Sequence, residues 1–220
     1  MFNIAIDGPA GAGKSSIARA AAANLGFIYV DTGALYRTVA LAAIRKGLKP
    51  DEQEAIVALL PDIKVTMGFV DGEQRVFLNG DDVSEDIRLP EVSAAASTVS
   101  AIPEVRGFLF DLQRDMAKTN DVLMDGRDIG TVVLPDAQLK IFLTATPEER
   151  ARRRYEQIKD KSDVTYEDVL KDLIQRDYQD THREIAPLKQ AEDAVLLDTT
   201  NMSFEEVVQA IEDLAKERQA

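Results

Sequence analysis

The sequence contains no cysteine, no tryptophan and a single histidine. Together these shortages count against disulfides, thiolate zinc sites and catalysis of the Ser-His-Asp or Cys-His kind. No apolar run approaches the roughly 18 residues that cross a bilayer, and the first residues pass straight into a strand-like run rather than a basic, then apolar, targeting segment. A cytoplasmic protein is therefore expected. Positive charge is also scarce: 26 Lys and Arg stand against 39 Asp and Glu, a net charge of −13. Such a surface repels polyanions, so neither nucleic acid nor membrane is an expected partner. No heptad seam is sustained, and a monomer is the default. With 45% hydrophobic and 30% charged residues over 220 positions, the chain can build one sizeable core with room for a small lobe.

What the chain does have stands near its start. Gly8-Pro9-Ala10-Gly11-Ala12-Gly13-Lys14-Ser15 follows the apolar Ile4-Ala5-Ile6 and precedes the alanine-rich Ser16-Ile17-Ala18-Arg19-Ala20-Ala21-Ala22. This is strand, glycine-rich loop and helix with the spacing of a P-loop. Glycines let the backbone curl so that N–H groups converge on phosphate oxygens, and the new helix adds its positive end. Lys14 supplies a mobile charge for the β- and γ-phosphates, and the Ser15 hydroxyl can ligate Mg²⁺. Residues Gly8 to Ser16 are thus the expected ATP-binding segment. A glycine-rich turn with no ligand is the bland alternative.

Further along, Gly26 to Val30 reads as a strand, and helices are expected from Ala34 to Lys46 and from a capping box at Asp51 and Glu54 to Pro61. Residues 62–88 change character. Ile63–Met67, Gln74–Leu78 and Asp82-Val83 read as three short strands, joined by a turn at 70–73 and by Asn79-Gly80, a strong hairpin signal. This antiparallel meander interrupts a βα alternation. It is expected to be a small insertion in one P-loop domain spanning 1–220. Helices follow from Pro90 and from Pro103, then strands at Val122–Met124, Lys140–Leu143 and Ala194–Leu197. Capping boxes at Thr146 and Ser203, and Thr165, open the late helices. The fold class expected is α/β: a five-stranded parallel sheet flanked by helices, with a small antiparallel β insertion.

Three clusters narrow the chemistry. Asp31-Thr32-Gly33-Ala34-Leu35-Tyr36-Arg37 lies at a strand's carboxyl end, where ligands sit in open parallel sheets. Its bland reading is a capped helix start with a surface arginine. Asp125-Gly126-Arg127-Asp128 ends a buried strand, where P-loop enzymes keep the carboxylate that holds Mg²⁺ directly or through water. Alone it could be a turn with a local ion pair. Arg150, Arg152, Arg153 and Arg154 open one late helix, while Arg176 and Arg183 lie about two turns apart on the next and can share a face with Asp180. In an acidic chain such a concentration suggests polyphosphate recognition; a solvated face paired with Glu148, Glu149 and Glu156 is the alternative. No Asn-Lys-x-Asp guanine motif occurs. The sum calls for phosphoryl transfer between two anionic substrates. A P-loop switch or regulatory ATP-binding protein would instead give slow hydrolysis and no phosphorylated acceptor.

Taken jointly, Ile6 to Lys14, Asp31 to Arg37, Asp125 to Val133 and Ala186-Pro187-Leu188 resemble bacterial cytidylate kinases, P-loop nucleoside monophosphate kinases, over essentially the whole chain including the β insertion. The resemblance implies transfer from ATP to CMP or dCMP with Mg²⁺, held by Ser15 and Asp125. It implies a monophosphate-binding lobe containing 62–88 and a lid near 146–166. It further implies that Ser97, Arg106 and Arg183 read the cytosine and that Arg176 and Asp180 hold the sugar. Arg37 and Arg127 would clamp the acceptor phosphate, with Thr32, Tyr36 and Asp128 in the same pocket. Lys14, Asp125, Arg127 and the lid residues Arg153 and Arg154 would be catalytic. A related kinase acting on UMP, AMP or a non-nucleotide acceptor is the runner-up.

Overall fold

Two residues apart on a strand means the same face of the sheet, and that alternation decides where the site's carboxylates go. In the computed structural model, which describes residues 1–70, 73–160 and 163–219, the chain divides into two compact units. One comprises Met1–Tyr29 and Asn120–Ala220; the other is the continuous segment Val30–Thr119.

In chain order, the first unit begins with β1 (Asn3–Asp7), α1 (Lys14–Leu25) and the start of β2 (Ile28–Asp31). The second unit follows with α2 (Thr32–Arg45), α3 (Gln53–Leu59), β3 (Val65–Val70), β4 (Glu73–Leu78), β5 (Asp81–Asp82), α4 (Pro90–Val99) and α5 (Pro103–Thr119). The chain then returns to the first unit as β6 (Val122–Gly126), β7 (Leu139–Thr144), α6 (Pro147–Ile158), α7 (Tyr166–His182), β8 (Val195–Asp198) and α8 (Phe204–Gln219). The main sheet has 5 strands in the order β2-β6-β1-β7-β8, with parallel pairing of β1 to β6, β1 to β7 and β7 to β8. This is the α/β architecture expected.

Register explains the core of the first unit. Ile4 stands beside Leu123 and Leu139, and Ile6 beside Asp125 and Ile141. That row faces α1 and α8, whose Ile17, Ala18, Ala21, Val207, Val208 and Ile211 join it in one buried cluster. Alanines on α1 allow the close approach. Asp125 therefore points to the α1 side. Asp7, one residue beyond Ile6, points to the opposite face. There the chain makes a π-turn over Ile129–Val133, with the Val133 N–H bonded to Asp128 O and that of Leu134 to Ile129 O. Sequence periodicity does not anticipate this turn.

In the second unit, β3, β4 and β5 form the expected antiparallel sheet. Asn79 and Gly80 both have positive φ, 54° and 95°, as a two-residue hairpin requires. Asp71 and Gly72, in the turn expected at 70–73, lie outside the described residues. The sheet packs through Val65, Val76 and Leu78 into a core with Leu35, Val39, Val99, Val105 and Leu109.

Helix starts follow the caps with two exceptions. The box expected at Thr146 forms only in half: its hydroxyl accepts the Glu149 N–H, while the Glu149 carboxylate is taken by Arg152 and Arg153 and the Thr146 N–H goes to Thr200. Thr165 and Asp168 close a full capping box, as do Ser203 and Glu206. The box expected at Asp51 does not form: Glu52 Oε2 accepts the Lys49 N–H instead, and α3 begins at Gln53. Asp31, by contrast, caps α2 two residues earlier than expected.

Ile211 of α8 is fully buried in the cluster it shares with α1 and the sheet. Ile211→Ala should cost about 3 kcal/mol and lower Tm by roughly 6–12 °C in a thermal melt. A shift under ~2 °C would contradict the tight α1–α8 packing.

Candidate active site

The phosphate-loop geometry starts with Gly8. A Cβ there would sit 2.0 Å from the Leu143 carbonyl oxygen, so only glycine lets the chain leave β1 so close to β7. Gly13 then caps α1 with φ 83° and no side-chain hydrogen bond, and no acidic residue lies in the first turn. The first N–H groups of α1 are thus left to an anion. Lys14 is buried and its Nζ donates to the carbonyls of Gly8 and Pro9 at 2.7 and 2.8 Å. Burial first, and then the Arg127 guanidinium, push this ammonium well below the ordinary lysine range.

Ser15 Oγ donates to Asp125 Oδ2 at 2.9 Å, and the Tyr29 hydroxyl donates to Oδ1 at 3.0 Å. The hydroxyl and carboxylate expected to share a cation are therefore adjacent. Hard oxygen donors in this small number suit Mg²⁺, which takes its remaining ligands from phosphate and water. Among the described residues no group of three or more His, Cys, Asp or Glu could hold a metal without such help.

Asp125 also precedes a chain of arginine–aspartate pairs. Arg127 Nε donates to Asp180 Oδ2 at 2.6 Å. Arg183 donates through Nη2 to Asp128 Oδ1 at 3.3 Å and through Nε to Ala186 O. Arg150, only 3% exposed, donates to Ala145 O, to Ala10 O in the phosphate loop and to Asp177. Asp177 in turn accepts the Ala10 N–H. Helices α6 and α7 are so fastened to the loop, with Ala10, Ala151, Val169 and Leu173 packed beneath. Arg150 is a strut here rather than a polyphosphate contact.

The other early arginines divide. Arg152 and Arg153 both bind Glu149, whose carboxyl is held at about 2, first by the hydrogen bond from Arg152. Arg153 also reaches Thr199 O at 2.6 Å. Arg154 is exposed. Arg176 pairs with Asp172 at 3.2 Å, one turn back on α7.

In the second unit, Asp31 Oδ1 caps the Ala34 N–H and Oδ2 accepts Arg37 Nη2 at 2.8 Å. Arg37 Nε is buried without a hydrogen-bond partner. Thr32 and Tyr36 are buried. The Arg106 guanidinium lies 5.6 Å from the centre of the Tyr36 ring and donates to Ser100 O; the Ser100 hydroxyl donates to Ser97 O. Thus Tyr36 and Arg106, far apart in sequence, meet within one unit, and Ser97 stands one helical turn before the Ser100 that holds Arg106.

Residues 4–217 match the family model described as Cytidylate kinase. The chain is 53% identical to a cytidylate kinase of Caldicellulosiruptor bescii, over 97% of this chain and 95% of that protein. The chain belongs to the cytidylate kinase family. A cytidylate kinase of Lactobacillus johnsonii is 47% identical over 100% of this chain and 96% of its own. A solved structure of an uncharacterized protein from Eubacterium ventriosum shares the fold, with TM-score 0.54 at 11% identity over 98% of this chain and 99% of that one.

Three residues take roles in the structure that the sequence patterns do not assign. Asp177 is one and Gln74, described below, another. The third is Asp7, whose carboxylate accepts the N–H groups of Ile129 and Gly130, both at 2.7 Å. It ties the entry of the phosphate loop to the π-turn after Asp128. Burial raises its pKa to about 6, against the two backbone hydrogen bonds. The folded chain therefore holds this proton more tightly than the unfolded chain does. The resulting stabilisation is complete below the unfolded value of 3.8 and is lost as pH rises through about 6. Asp7→Asn cannot ionise. Its stability relative to the parent should rise by up to ~3 kcal/mol from about pH 4 to about pH 7 in urea unfolding. A difference that stays constant with pH would refute the burial argument.

Proposed function

We infer that this chain transfers the γ-phosphoryl group of ATP to CMP or dCMP. The observation that carries this is the conjunction, in one unit, of an uncapped helix start, Lys14 and the Ser15–Asp125 contact with Arg127, which follows Asp125 in the chain, and Arg183, which pairs with Asp128. The acceptor phosphate of CMP is largely dianionic at neutral pH and is itself the nucleophile, so the reaction needs no general base and no covalent intermediate. That agrees with the shortage of histidine and cysteine.

In this reading Gly8 to Ser16 bind ATP. Lys14 swings from its loop carbonyls to the β- and γ-phosphates and offsets the charge on the transferring group. Ser15 Oγ, and Asp125 directly or through water, would hold Mg²⁺, which would add charge neutralisation at the phosphates. Arg153 and Arg154 act from the lid near 146–166, which excludes water and so suppresses hydrolysis. Arg37 and Arg127 bind the acceptor phosphate, with Thr32, Tyr36 and Asp128 around it. The buried, unpartnered Nε of Arg37 supports an anion as its ligand. Arg176 and Asp180 hold the sugar; Ser97, Arg106 and Arg183 read the cytosine. The protein acts as a monomer in the cytoplasm.

The test is ADP formation from Mg·ATP with CMP, dCMP, UMP, AMP and no acceptor, side by side. Turnover with CMP and dCMP well above UMP and AMP is expected. Preference for another acceptor would overturn the cytosine assignment, and acceptor-independent hydrolysis would overturn the kinase reading.

Two variants examine the residues. Lys14→Ala should lower kcat by at least ~100-fold, while its unfolding free energy stays within about 1 kcal/mol of the parent. Asp180→Ala removes a sugar ligand and leaves Arg127 without its carboxylate. It should raise KM for CMP about tenfold or more and change KM for ATP less than about twofold. Equal losses for both substrates would argue against an acceptor-side role.

A further inference from the structure

The β insertion reaches the acceptor-side arginine through one carboxamide. Gln74 lies on β4, opposite Phe69 of β3. Its Oε1 accepts the Asp31 N–H at 2.7 Å, and its Nε2 donates to the Asp31 carbonyl at 3.3 Å. A single side chain thus satisfies both backbone groups of one residue, as a neighbouring strand would. Glutamate could only accept, and leucine could do neither.

The residue so held is the one that places Arg37. Asp31 divides its carboxylate between the first turn of α2 and the Arg37 guanidinium. The guanidinium lies against Gly33, where a Cβ would stand 3.0 Å from Nη1. Arg37 is therefore fixed from two sides, by Asp31 and by the bare backbone of Gly33. Its Nε has no partner. A shift of Asp31 along its strand would move both the cap and the guanidinium.

We propose that Gln74 is a positioning residue for the acceptor phosphate, acting through Asp31 on Arg37, and that this link makes the β insertion part of phosphate recognition. The proposal rests on the reading above that Arg37 binds that phosphate. The order of contacts is Gln74 carboxamide, Asp31 backbone, Asp31 carboxylate, Arg37 guanidinium, phosphate oxygen. Every protein contact in it lies within Val30–Thr119.

The test is a double-mutant cycle on Gln74→Leu and Arg37→Ala, read as KM for CMP, KM for ATP and kcat. Gln74→Leu alone should raise KM for CMP about five- to twentyfold, with KM for ATP changed less than about twofold. Arg37→Ala alone should raise it more. In the Arg37→Ala background, Gln74→Leu should have almost no further effect on KM for CMP, because its route to the phosphate is gone. A purely structural role for Gln74 predicts instead that the two effects multiply, and that outcome overturns the proposal. So does an unchanged KM for CMP in Gln74→Leu when Arg37→Ala is impaired. If Arg37→Ala itself leaves KM for CMP unchanged, the phosphate reading of Arg37 fails and the proposal with it. Gln74→Glu, which keeps the acceptor for the Asp31 N–H, serves the same cycle if the leucine variant melts near the assay temperature.

Discussion

Arginine held by aspartate is the interaction on which the functional part of this protein depends. Arg37 with Asp31, Arg127 with Asp180, Arg150 with Asp177 and Arg183 with Asp128 are four such pairs, with contacts from 2.6 to 3.3 Å. A phosphate site needs cationic donors close together, and unpaired cations that are partly buried repel one another and lose hydration. A planar guanidinium can give one donor to an aspartate and keep others for a ligand. Within each unit these carboxylates offset partly buried guanidinium charge, in a chain whose net charge is −13. Lysine at these places would offer three donors on a single nitrogen instead of five spread over a planar fork.

The pairs differ in what they leave open. Arg150 spends its donors on Ala145, Ala10 and Asp177, so it fixes geometry. Arg37 retains a buried Nε without a partner. The two arginines differ in how many donors the protein itself uses, not in residue type. Four arginines close together in sequence on one helix, Arg150 and Arg152 to Arg154, end in quite different surroundings.

Much of the fold was legible in the sequence because its signals are local. The phosphate loop depends on spacing within one turn, Asn79-Gly80 on two residues, and the caps at Thr165 and Ser203 on three-residue steps. The adjacency of Ser15 and Asp125 also followed from knowing which strand ends carry ligands. What escaped was decided by register and by helix crossing. Asp177 meets Ala10 because α7 lies across the loop; Gln74 meets Asp31 because β4 lies beside that strand end; Asp7 meets the π-turn because it is one residue out of phase with Ile6. No short-range pattern encodes those meetings. At Asp51 the local signal was present but lost the competition, since Glu52 bonded the Lys49 N–H instead.

The route of the chain through its two units sets an order of events during synthesis. Val30–Thr119 is continuous, so once translated it has all its own core partners in hand. β1, in contrast, pairs with β6 and β7, with Asn3 beside Val122, and must wait for more than half the chain to appear. Until then the apolar strand Ile4-Ala5-Ile6 and the alanine face of α1 have no sheet to join. The phosphate loop between them, a short-range motif in sequence, becomes a structure only when the late half of the chain arrives.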